Sequence, residues 1–153
     1  MVIVTSVLDA ESVHAVAGVP AESAGRDAVK EVPGRRHGLA VDVLGLVIAV
    51  VAVPVSAHEN AVGIALLGRV AADTDAVGKA LVGQGFENAV VARGGKVGIG
   101  VEVVERDPAQ TGCVPRARRW VMERAYGVLM LHRRLVRDYG HLPAVRSRGC
   151  TGR

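Results

Sequence analysis

An acid set among arginines is the first chemistry this sequence offers. Between Arg116 and Arg137 lie seven arginines and one histidine, with Glu123 in their midst. Laid out at 3.6 residues per turn, the stretch Arg116–Tyr139 (RARRWVMERAYGVLMLHRRLVRDY) reads as one long helix with two sides. Val121, Ala125, Val128, Leu131 and Leu135 follow at spacings of four, three, three and four, which predicts a core-facing stripe. Arg119, Glu123, Tyr126, Met130, Arg133 and Arg137 take the other side, one carboxylate among three arginines. Two readings fit that face. Glu123 is a chemically used acid in a positive field, or it pairs with Arg119 at i,i+4 on a solvated basic helix. A second acid of interest, Asp9, closes the first apolar run of the chain.

The remaining residues must build the scaffold that positions these groups. A chain of 153 residues is long enough for one domain with a real core, and a hydrophobic fraction of 50% excludes a mainly disordered chain. With one Trp, one Phe and two Tyr, that core has to be made of Val, Ala, Leu and Ile. Such a core suits buried strands covered by helices. The net charge of +4 is concentrated in the C-terminal third, and phosphate backbones are the natural partner of such a surface. Cys113 and Cys150 have no metal-ligand spacing, which points to a reduced, cytoplasmic setting. The longest apolar run, Leu44–Val55, has twelve residues broken by Gly45 and Pro54, too few to span a bilayer, so no membrane role is expected.

In chain order, Val2–Leu8 predicts a buried strand ending at Asp9, and residues 18–34 a polar connection ending in Arg35 and Arg36. Gly38–Val43 and Leu46–Val53 predict an antiparallel hairpin turning at Leu44-Gly45. A helix capped by Ser56 is expected to run to about Ala72, followed by a strand at Lys79–Val82 and a tight turn at Gly83-Gln84-Gly85. Phe86–Gly94 predicts a short helix closed by Gly94-Gly95, Val101–Val104 the last strand, and 107–115 a loop. From 142 onward the sequence is unpatterned and reads as a tail, leaving 1–141 as the domain. The order strand, strand, strand, helix, strand, helix, strand, helix is the ribonuclease-H-like α/β order. It has three antiparallel strands extended by parallel ones, with helices on both faces.

Four blocks in that order carry a more specific resemblance. They are DAESVHA from Asp9, GRRHGLAVDVLGLVIAVVAVPVSAHEN at 34–60, VGQGFENAVVARGGKVGIGVEVVER at 82–106, and RRWVMERAYGVLMLHRRLVRDY at 118–139. Together they resemble the DDE transposases of bacterial insertion sequences, in the insertion-sequence family five/four group, over roughly residues 1 to 142. The resemblance implies DNA cleavage and strand transfer by three acids holding two Mg²⁺ ions, which stabilise the attacking and leaving oxygens. It carries the first acid to Asp9 and the third to Glu123, both as catalytic and metal-binding residues. It carries Arg119 to a basic position that lies on DNA phosphate or near the metal site, and the patch Arg133, Arg134 and Arg137 is expected to touch phosphate.

The sequence departs from the pattern at the second acid. The position before Gln-Gly-Phe is Gly83, which offers no ligand, so Mg²⁺ is not expected to be productively bound. Glu87 and Asp75 are the nearest acids and read as surface residues, and Asp42 fits no member of the trio. The resemblance also implies a DNA-recognition segment before the first strand and a further helix after Tyr139, so a truncated copy is expected. Trp120 is expected to anchor packing, and His14, His58 and His132 to sit in loops or on the surface. Three readings follow: an active transposase, a catalytically dead relative that keeps the fold and non-specific DNA affinity, and a basic domain turned to DNA binding or regulation. The last would act as a homo-oligomer or in mixed oligomers with intact transposase. The dead relative is the expected one.

Overall fold

The computed structural model describes residues 4–17, 19–29, 31–105, 108–109, 111 and 119–131, without the side chains of Ala21, Glu22 and Arg119. The expected tail at 142–153, and the expected helix beyond residue 131, lie outside the described residues.

Five strands form one mixed sheet in the order β3-β2-β1-β4-β5. β1 (Val4–His14), β2 (Gly34–Asp42) and β3 (Val47–Pro54) make an antiparallel meander, and β4 (Val77–Val82) and β5 (Gly100–Val103) join on the other side of β1, parallel to it. This is a ribonuclease-H-like α/β arrangement. The short α1 (Ala21–Ala24) lies in what the sequence presented as a polar connection. α2 (Glu59–Asp73) and α3 (Asn88–Val97) cover one face of the sheet, and α4 (Arg119–Met130) covers the other.

The alternation of side chains along the strands feeds two cores. Leu8, Ala40, Ala80 and Val82 pack with Leu66, Leu67 and Val70 of α2 and with Phe86 and Val90. Val7, Leu39, Val41 and Leu81 point the other way, onto Val121, Met122 and Ala125 of α4. Apart from Phe86, the buried apolar set contains no aromatic residue, as composition required.

Several boundaries differ from expectation, each for a physical reason. β1 does not stop at Asp9: it runs on to His14, because its second half pairs residue by residue with the start of β2, from Asp9↔Leu39 to His14↔Gly34. The polar residues of these arms hid both strand segments. His58, rather than Ser56, caps α2, its Nδ1 accepting from Asn60 N at 3.2 Å. α3 passes through Gly94 and Gly95 and ends at Gly98, whose φ of 78° supplies the left-handed turn. Gly94 is instead a point of close approach, where a Cβ would lie 2.6 Å from the carbonyl oxygen of Ile99.

The expected stripe on α4 is also rotated. Val121 and Ala125 are buried, but Val128 (53% exposed) and Leu131 (81%) are not, and Met122 takes their place. The buried side centres on Val121, Met122, Ala125 and Leu129, about a quarter turn from the expected one. The reason is at the hairpin. Arg124 reaches across to the carbonyl oxygen of Leu44 and lies over the Trp120 ring, 5.1 Å from its centroid, which holds that side of the helix outward. Trp120 is therefore 54% exposed and is no packing anchor.

Candidate active site

Asp9 sits mid-strand, where the period of two places it on the α4 side of β1, opposite Leu39 of β2. Its Oδ1 accepts a hydrogen bond from Ala10 N at 2.9 Å. On the other side of β1, Val7 pairs with Leu81 of parallel β4, and Asp9 and Gly83 each lie two residues further on. The two line a common cleft together with Val104, and Met122 of α4 closes it. Its free volume is about 10 Å³, at the lower limit for a single water molecule.

Glu123 follows Met122 directly and is exposed. One turn further along, Tyr126 turns its hydroxyl back to the sheet, 3.3 Å from the carbonyl oxygens of both Asp9 and His37. One O–H proton is shared between these two acceptors. Through Tyr126, α4, which carries the expected third acid, is tied to the strand that carries the first.

The site residues expected from sequence thus divide. Asp9 and Gly83 share one cleft, and Glu123 stands beside the residue that closes it. Arg119 opens α4, but its side chain lies outside the described residues, as do Arg133, Arg134 and Arg137 entirely. Of the alternative acids, Glu87 is engaged elsewhere. It accepts from Asn60 Nδ2 at 3.0 Å while its own N–H donates to Asn60 Oδ1 at 2.8 Å, clasping α3 to α2. Asp75 is exposed. Asp42 holds the hairpin turn, its Oδ1 accepting from Leu44 N at 2.8 Å and Leu46 N at 3.0 Å.

Two buried polar residues of β2 escaped the sequence reading. Arg35 is wholly buried, with Nη2 2.8 Å from Ser23 Oγ and Nε 3.2 Å from Ser23 O. His37, paired across the ladder with Glu11, is 4% exposed. The signal for both was the alternation Arg35, His37, Leu39, Val41, which continues the strand's inward face back to Gly34.

A pair of Mg²⁺ ions demands several converging oxygen ligands. Among the described residues no three His, Cys, Asp or Glu side chains come together, and Gly83 brings only backbone to the position expected of the second acid. The described donor set does not fit a two-metal centre.

No protein-family model matches the chain, and no curated protein is significantly similar to it. Among the described residues, no helix is long and apolar enough to cross a membrane.

Proposed function

We propose that this chain is a DDE-transposase catalytic domain of the insertion-sequence type that has lost strand-transfer chemistry and retains non-specific affinity for DNA. The observation that carries the reading is the shared cleft of Asp9 and Gly83, on the sheet face covered by α4, the helix whose sequence includes Glu123. In a ribonuclease-H-like sheet the first strand, the end of the fourth and the last helix are the places from which acids converge. Here two of those places hold acids and the third holds glycine. The basic run from Arg116 to Arg137 supports the DNA part of the reading, because neutralising phosphates releases counterions whatever the base sequence. Binding to DNA in the cytoplasm, through phosphate contacts, is the role this leaves.

Two assays test it. Equilibrium binding to duplex DNA should be weak, indifferent to sequence and steeply dependent on salt. Replacing Arg133, Arg134 and Arg137 by Ala should flatten the logarithmic salt slope by up to about three units. An unchanged slope would show that this patch is only solvated surface. In parallel, the unsubstituted chain should give no Mg²⁺- or Mn²⁺-dependent nicking. Nicking that Asp9→Ala abolishes would overturn the loss of chemistry.

A further inference from the structure

β3 closes one side of the sheet, and its composition is unusual for an edge. It reads VIAVVAVP, without a charge or glycine, and its proline stands only at the last position, Pro54. Solitary edge strands are ordinarily protected by charged side chains, prolines or bulges, because their outward N–H and C=O groups template pairing with another strand. Here the single register shift in the β2–β3 ladder falls at Ile48, beside the hairpin, and the rest of the strand is regular. Among the described residues, the ladder to β2 is the backbone pairing that β3 makes. The bonds from Val55 N to Ala24 O (2.8 Å) and Gly34 O (3.2 Å) come only after the strand has ended.

The edge also says what would fit it. Val47 and Val50 pack into the core beneath α4, while Ile48, Ala49 and Val51 pack into the core beneath α2. A strand added outside β3 would extend both cores, so it must be apolar on both faces. β3 itself has that character. On a chain of net charge +4 it carries no charge, so no like charges face each other along a β3–β3 contact. Leu44 (68% exposed) and Leu46 (64%) continue the apolar surface at the hairpin end.

We propose that two copies of this chain associate through β3, antiparallel about a two-fold axis, to make one continuous sheet of twice five strands. Antiparallel pairing is what a two-fold axis normal to the sheet imposes on a strand meeting its own copy. It sets Leu44 and Leu46 of each copy beside the far end of the other's β3. Because the contact consumes the same edge of both copies, assembly stops at two. The opposite edge, β5, is four residues long and carries Glu102 ion-paired to Lys79 of β4, a poor template for further growth. The inference is independent of the transposase reading, since it rests on the edge alone.

The test uses the whole chain from about 1 µM to about 500 µM, concentrations that bracket micromolar association. Mass by sedimentation equilibrium should rise from one chain to two. Hydrogen exchange should show alternate β3 amides gaining protection over the same concentration range. Ala52→Lys, a charge placed on β3, should weaken association at least tenfold while leaving the circular dichroism unchanged. If that variant fails to fold, exchange in the unsubstituted chain decides. A monomer at every concentration would overturn the proposal and leave the edge to a foreign strand. So would a dimer whose β3 amides exchange as fast as the monomer's, or assemblies that grow beyond two.

Discussion

The hydroxyl of Tyr126 lies 3.3 Å from the main-chain oxygen of Asp9, which fixes the height of α4 over the centre of the sheet. The same hydroxyl reaches His37 O at 3.3 Å, so one side chain spans β1 and β2. Tyr126→Phe removes both contacts. It should cost about 1 kcal/mol, the net worth of a hydrogen bond in this setting. Urea denaturation would read this as a lower midpoint with an unchanged slope. No change would mean that the bond contributes nothing.

Gly83 can take a side chain as far as its backbone is concerned. Positive φ occurs at Gly25, Gly45 and Gly98 among the described glycines, and Gly83 is not one of them. Gly83→Asp therefore meets no left-handed backbone, and it adds a carboxylate to a residue that lines the cleft of Asp9. Its melting temperature should rise with added Mn²⁺, since binding to the native state stabilises it, whereas the unsubstituted chain should show no such rise. A variant that folds but ignores Mn²⁺ would count against a lost acid site.

Adjacent glycines in α3 should respond in opposite directions. A Cβ at Gly94 meets the Ile99 oxygen at 2.6 Å and runs into Val101 Cγ2, while a Cβ at Gly95 meets nothing within 4 Å. Gly94→Ala should destabilise by about 1–3 kcal/mol through overpacking. Gly95→Ala should stabilise by about 0.5–1 kcal/mol, because alanine loses less entropy in a helix. Thermal melts of the two variants side by side would show a drop and a gain.

Arg35 is a wholly buried cation whose guanidinium holds Ser23 of α1. Arg35→Ala should destabilise by about 3 kcal/mol, combining a cavity with the loss of the hydrogen bonds to Ser23. Arg35→Lys should recover little, because an ammonium cannot reproduce the planar pair of donors to Ser23. Recovery to near the original stability would show that charge alone matters there.

The order of elements was legible in the sequence because apolar runs and glycines punctuate it plainly, and the Val/Ala/Leu core followed from the lack of aromatics. What the sequence hid were the places where polar residues continue an element. Asp9 looked like a strand end because the run of apolar residues stops there, yet pairing with β2 carries the strand to His14. Arg35 looked like the end of a polar connection because burial of charge is decided by partners distant in sequence, such as Ser23. The face of α4 was misjudged for a similar reason: Arg124, in the middle of the apolar pattern, is drawn to the hairpin oxygen of Leu44. The cleft of Asp9 and Gly83 needed the β1–β4 register, which no local pattern contains.

β1 lies at the centre of the sheet although it is made first. Its antiparallel partner β2 follows within a few tens of residues, but its parallel partner β4 begins at Val77, about 70 residues after Val4. On the ribosome, the meander of β1, β2 and β3 therefore emerges as a unit whose inner edge waits, unpaired, for the rest of the chain. Closing that long loop is the slow step topology imposes. During synthesis the nascent chain has two open edges, one at β3 and one at β1, and its hazard of mispairing with a neighbouring nascent chain is greatest just before β4 leaves the exit tunnel.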